Sequence, residues 1–222
     1  MGQLLLVRHG QASFGADDYD VLSETGWAQG RVLGARLREQ DVAPALVVRG
    51  DMRRHRETAE AIAEGGGWRD VPVTVDAGWD EFDHVGLVAA QPDLPPGPLD
   101  RRTFQQLFER ATARWSAGEA HGFSETYAGF VARVRSSLAA VVAEAGPGRT
   151  VVVVSSGGTI AVVAAALTDP EADPATAARV WSRFNTVMVN SSVTRVVVGS
   201  TGARLLTFNE HTHLRGDLLT YR

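Results

Sequence analysis

The sequence predicts a three-layer α/β/α fold with a mostly parallel central sheet and an antiparallel edge. Runs rich in leucine and valine, at residues 3–7, 45–48, 150–154, 187–189, 193–198 and 204–208, are strand-sized, and several are apolar on both faces. Longer stretches with helical spacing lie between them, and strands alternating with helices give parallel sheets covered on both sides. The last three apolar runs follow one another closely, which places antiparallel pairs at that end of the sheet.

Taken in order, the chain opens on Leu4-Leu5-Leu6-Val7, an uninterrupted apolar run that reads as a strand buried on both faces. Helical spacing follows over 25–39, with Ser23 placed as its N-cap, because a serine oxygen satisfies a backbone N–H of the first turn. The strand at 45–48 leads into a helix over 54–63 that begins in a basic stretch. Residues 80–98 carry Gly86, Gly97 and four prolines and keep no period, so they read as irregular. With the residues after them they form an insertion around 80–123 that covers the site of a single domain spanning 1–222. Helices over 101–117 and 124–144 precede the valine-rich strand at 150–154. Gly157 and Gly158 turn it into a helix over 159–167, and a further helix over 175–182 leads to the last three strands.

Composition narrows the function. At 222 residues, 44% of them hydrophobic, the chain supports one domain with a substantial core. A net charge of −4 disfavours a nucleic-acid or membrane-surface binder, which needs a basic face. No cysteine is present, so thiolate catalysis, thiolate metal sites and disulfides are excluded. No lysine is present either, which removes Schiff-base chemistry and a lysine-bearing phosphate loop. The first apolar run stops at Arg8, too short for a signal-peptide core or a membrane span, and a cytoplasmic location is expected.

The chemistry starts where the first strand ends, in Arg8-His9-Gly10-Gln11-Ala12-Ser13. Ligands bind at the carboxyl edge of open α/β sheets, so a guanidinium and an imidazole there mark a site. At this point the chain resembles the histidine phosphatase (phosphoglycerate mutase-like) superfamily, whose signature is an Arg-His-Gly triplet at the end of strand one. The likeness continues through Leu22-Ser23-Glu24-Thr25-Gly26, Arg49-Gly50-Asp51-Met52-Arg53-Arg54-His55-Arg56-Glu57-Thr58-Ala59, Trp79-Asp80-Glu81-Phe82 and Val152-Val153-Val154-Ser155-Ser156-Gly157-Gly158-Thr159. It implies that His9 is the nucleophile, Arg54 the second phosphate-binding arginine beside Arg8, and Glu81 the proton donor. Asp80 and Asp83 stay open as alternatives to Glu81. The turn at Ser156 normally bears a second catalytic histidine that hydrogen-bonds the transferring phosphoryl group.

These residue types suit phosphoryl transfer. A phosphoryl group carries about two negative charges near neutral pH, and planar arginine forks match its oxygens. Ser156, Gly157, Gln11 and Ser13 join the arginines as phosphate ligands, and the N-terminus of the following helix adds N–H groups. His9 would attack phosphorus through a neutral ring nitrogen, and Glu81 would protonate the leaving alkoxide and then activate water. No metal and no other cofactor is called for.

Serine at 156 brings a donor without a charge. By analogy with oxyanion-hole deletions, that loss costs on the order of 100-fold to 1,000-fold in rate. His84 is the first candidate to compensate, since its loop delivers Glu81, with His211 and His213 behind it. His55 and His121 read as surface residues, as do Arg53 and Arg56. The leading function is a phosphomonoester hydrolase acting on a small phosphorylated metabolite. The alternative is a phospholigand-binding protein whose catalysis is lost or residual. A glycolytic mutase ranks lower, because Phe82-Asp83-His84-Val85-Gly86 differs from the stretch such mutases carry and no lysine exists. A homodimer is the assembly kept open, with Trp181 and Phe184 read as an exposed apolar patch.

Overall fold

The computed structural model describes residues 1–13, 20–97, 99–119 and 122–221, with only the backbone of Arg101. His121, read above as a surface residue, and Pro98, within the insertion, lie outside the described residues.

The strands are β1 (Gly2–Arg8), β2 (Leu46–Arg49), β3 (Val73–Val75), β4 (Thr150–Ser155), β5 (Val193–Gly199) and β6 (Gly202–Glu210). They form one sheet in the order β3-β2-β4-β1-β5-β6. β1, β2, β3 and β4 pair in parallel, whereas β5 runs antiparallel to both β1 and β6. The expected architecture is therefore observed, antiparallel edge included. The register of β1 on β4 sets Arg8 beside Ser155, so the residues that follow each strand, His9 and Ser156, emerge side by side at the carboxyl edge.

The helices are α1 (Glu24–Glu39), α2 (Arg53–Gly66), α3 (His84–Ala89), α4 (Arg101–Ser116), α5 (Tyr127–Glu144), α6 (Gly157–Thr168) and α7 (Pro174–Thr186). Alternate side chains of the central strands feed two separate cores, as a period of two requires. Leu5, Val7, Val152 and Val154 meet Leu33, Leu37 and Ile62 of α1 and α2. Leu4, Leu6, Val151 and Val153 meet Phe130, Val134, Ile160 and Trp181 on the other face. α6 is buried on every side from Gly157 to Ala165, which explains its lack of an amphipathic stripe. Ser23 caps α1 as expected, its side chain accepting from the Gly26 N–H at 3.1 Å.

Four expectations need correction. Residues 187–189 are not a strand: Val187 closes α7, the Val189 N–H donates to Asn209 Oδ1, and the Met188 carbonyl accepts from Arg8 Nη1. Those two backbone groups are taken by side chains rather than by a ladder. β3, three exposed residues at the sheet edge, is too short to show a period and was not anticipated. The segment 80–98 is not irregular throughout, because Asp83 caps the short helix α3 by accepting from the Gly86 N–H. Finally, Trp181 is fully buried rather than part of an exposed patch; its indole N–H donates to the Gly158 carbonyl, and its ring packs against Phe82, Trp115, Tyr127 and Phe130.

Candidate active site

His9 sits just past β1. Its N–H donates to the Ser155 carbonyl at 2.8 Å, and its own carbonyl accepts from the Ser191 N–H and from Asn190 Nδ2. Its ring is oriented by a 2.7 Å contact between Nδ1 and the Gly10 carbonyl. A carbonyl only accepts, so the proton lies on Nδ1 and the lone pair on Nε2. Burial, followed by the guanidinium groups of Arg54 and Arg8 and then His55, holds the imidazole well below its ordinary pKa. The result is a neutral, oriented ring with one nitrogen available.

The two predicted arginines flank this ring. Arg8, at the last position of β1, is anchored through Nη1 to the Met188 and Tyr221 carbonyls. Arg54 lies in the first turn of α2, buried, with Nη1 on Asp20 Oδ1 at 2.5 Å. Its Nε has no hydrogen-bond partner among the described residues, a buried donor that an anion would satisfy. Arg53 and Arg56 are exposed, as expected for a solvated helix face.

Glu81 approaches from the far side. Its Oε2 accepts from the Gly158 N–H at 2.9 Å, in the first turn of α6, and Oε1 accepts from the Phe82 N–H. Burial pushes this carboxyl up, against the opposing pull of those N–H groups and of Arg54 and Arg8. Glycine at 158 is a steric requirement, since a Cβ there would stand 2.4 Å from Glu81 Oε1 and 2.6 Å from the Phe82 ring. The segment bearing Glu81 is held in place by Ser155 Oγ on the Trp79 carbonyl and by Thr159 Oγ1 and Arg133 Nη1 on the Asp80 carbonyl. Asp80 itself faces His55 rather than His9, and Asp83 serves as the cap of α3.

His55 is where the structure departs furthest from the sequence reading. It is 0% exposed, not a surface residue. Its Nε2 lies 2.7 Å from Ser156 Oγ, its Nδ1 3.6 Å from Asp80 Oδ1, and its ring centroid 5.9 Å from that of His9. One signal was available in the sequence. His55 stands four and seven residues before the apolar Ala59 and Ile62, so helical spacing sets it on their face, and the structure buries all three.

The remaining predicted residues lie near or behind this group. Gly157 opens α6, and a Cβ there would stand 3.5 Å from Arg8 Nε. Gln11 ties its backbone N–H to Gln29 Oε1 and its side-chain oxygen to Ser23 Oγ, and the Ser13 N–H donates to the Val21 carbonyl. Those contacts anchor the loop to the start of α1. His84 begins α3 with its ring edge-on to Phe108, and burial followed by Arg54 lowers its pKa. His211 and His213 donate to the Asn209 and Ser191 carbonyls, and burial takes His213 down to about 4. His213 thereby braces the loop whose Ser191 N–H donates to the Arg8 and His9 carbonyls.

The sequence profile of the histidine phosphatase superfamily (branch 1) matches residues 4–211. The chain belongs to this superfamily. No curated protein matches it by sequence. Among solved structures, mycobacterial glucosyl-3-phosphoglycerate phosphatase is similar at 27% identity and a TM-score of 0.64, over 95% of this chain and 99% of that one. YhfR of Bacillus stearothermophilus aligns at 22% identity and a TM-score of 0.70, covering 95% of this chain and 98% of that one. The α-ribazole phosphatase of Shigella flexneri aligns at 20% identity and a TM-score of 0.66, covering 94% and 96%. The last two are likenesses of fold.

Proposed function

We propose that this superfamily member is a metal-independent phosphomonoester hydrolase that releases inorganic phosphate from a small phosphorylated metabolite through a phosphohistidine on His9. The observation that carries the reading is the state of the His9 ring: its Nδ1 proton committed to the Gly10 carbonyl, its Nε2 left with the lone pair, and the charges of Arg54 and Arg8 joining burial to disfavour its protonated form. In the first step Nε2 bonds to phosphorus as the ester P–O bond breaks, with the arginines and the N–H groups of the α6 N-terminus matching the phosphoryl oxygens. Glu81, kept protonated more readily by burial, gives its proton to the departing alkoxide. In the second step the Glu81 carboxylate takes a proton from water, whose oxygen attacks phosphorus, and phosphate leaves as His9 is restored. A cytoplasmic location suits such a substrate, and no helix among the described residues is long and apolar enough to cross a membrane.

The test is phosphate release from p-nitrophenyl phosphate and a panel of metabolite phosphates, in the presence of a chelator, for the wild type and His9→Ala. Chelator-resistant turnover that disappears in His9→Ala, together with an acid-labile phosphoenzyme, supports the reading and identifies the substrate class. Vanadate binding without turnover favours the phospholigand-binding alternative.

A further inference from the structure

Ser156 stands at the N-cap of α6 but does not cap it. A serine there ordinarily accepts from a backbone N–H of the first turn. Ser156 makes no such bond, and its hydroxyl is directed instead at His55 Nε2, 2.7 Å away. Across the ring, Asp80 Oδ1 faces His55 Nδ1 and is itself fixed by the Asp51 and Met52 N–H groups at 2.7 and 3.3 Å. The ring also depends on a glycine, because a Cβ on Gly50 would fall 2.2 Å from His55 Nδ1 and 2.5 Å from Asp80 Oδ1. Serine at 156, histidine at 55 and glycine at 50 thus fit together as one arrangement, at the position where the superfamily resemblance places a histidine.

We propose that His55 supplies from α2 the imidazole that the turn at Ser156 lacks, as a positioning residue acting through the Ser156 hydroxyl on the transferring phosphoryl group. The proposal rests on the reading of His9 as the phosphorylated residue. It follows from counting protons. His55 Nδ1 lies 3.6 Å from Asp80 Oδ1, an ion-pair contact longer than a hydrogen bond, and has no hydrogen-bond partner among the described residues; a proton there faces the carboxylate, and Nε2 then accepts the Ser156 hydroxyl. When a phosphoryl dianion lies against His9, one proton from solvent settles on His55 Nε2. That N–H then donates to Ser156 Oγ, and the serine proton turns to a phosphoryl oxygen. The positive charge reaches the phosphoryl group through the serine, and the only new covalent bond is the Nε2–H bond. The groups bearing on this ring are Asp80 and Asp20, which favour the cation, and Arg54 and His9, of which Arg54 opposes it; burial opposes it most.

The test uses four proteins beside the wild type: His55→Ala, His55→Gln, Ser156→His and the double variant His55→Ala/Ser156→His. Each is measured for turnover across pH and for orthovanadate affinity by calorimetry in two buffers, which reads proton uptake. His55→Ala should weaken vanadate binding and turnover by about 100-fold, the scale of one lost charge-assisted donor. Ser156→His alone should also fall, because the new ring meets the ring of His55. The double variant should recover about ten-fold or more over Ser156→His, as coupled neighbours do in a double-mutant cycle. His55→Gln keeps a neutral donor toward Ser156 and should bind vanadate with less proton uptake than the wild type. It carries the test if His55→Ala fails to fold. Wild-type affinity and turnover in His55→Ala, or a double variant no better than Ser156→His, overturns the proposal. Vanadate binding without wild-type turnover sinks the hydrolase reading and leaves the vanadate cycle to decide the role of His55.

Discussion

Gly50 is a position at which one methyl group tests the packing of the site. In Gly50→Ala the new carbon would lie 2.2 Å from His55 Nδ1, 2.5 Å from Asp80 Oδ1 and 2.9 Å from His55 Cε1, whereas unstrained contacts begin at roughly 3.5 Å. None of these atoms is the free end of a flexible chain. The imidazole is fully buried and bonded to Ser156, and the carboxylate oxygen holds two backbone N–H groups at the start of α2. The ring must therefore move by about an ångström or the loop must open, and overpacking of this kind costs about 1–3 kcal/mol. With a urea m-value of roughly 2 kcal/mol/M, the midpoint of unfolding should fall by about 1 M with m unchanged. Combining Gly50→Ala with His55→Ala removes the nearest obstacle and leaves only Asp80 Oδ1 in the way, so the pair should be more stable than the sum of the single losses predicts. The assay is urea denaturation of the four proteins followed by tryptophan fluorescence. A Gly50→Ala protein with the wild-type midpoint, or costs that simply add, would show that His55 is not held against Gly50.

Glu81→Gln removes the proposed proton donor while keeping an acceptor for the Gly158 N–H, and turnover on alkyl phosphomonoesters, whose alkoxide leaving groups need that proton, should drop about 100-fold to 10,000-fold. Because burial raises this carboxyl, its ionisation is costlier in the folded than in the unfolded protein, so Glu81 favours folding at acid pH and that contribution is lost as pH rises through its raised value. The variant should gain in urea midpoint over the wild type at about pH 8 and not at about pH 4; an equal offset at both would refute the assignment. For His9 and His55 the sign is opposite, since burial lowers both and the folded state resists their protons. Stability should decline as pH falls below the ordinary imidazole value of about 6.5, measured as urea midpoints between about pH 7 and pH 5. A flat profile over that interval would mean that neither ring is buried as described.

What the sequence disclosed depended on whether a feature repeats along the chain or depends on contact across it. Alternation in Leu4-Leu5-Leu6-Val7 and in Val151-Val152-Val153-Val154 divides cleanly into the two cores, and α1 starts one residue after the serine expected to cap it. Arg8, His9, Arg54 and Glu81 were legible because each lies within a run of neighbours that resembles a known motif, and the structure gathers them at one sheet edge. His55 was missed for the complementary reason. Within its helix it stands between Arg54 and Arg56, where a basic run reads as a solvated face. Only the approach of α2 to the β4–α6 turn, 101 residues further along the chain, shows that the ring points inward at Ser156. The same contact gives the serine a different meaning. Read alone, serine for histidine is a deletion of charge, which leads to a slow enzyme or a dead one. Beside a buried imidazole that a glycine makes room for and an aspartate faces, it is, under our proposal, the hydroxyl through which that imidazole reaches the pocket. On that proposal the serine marks not a lost charge but a ring supplied from another wall of the site.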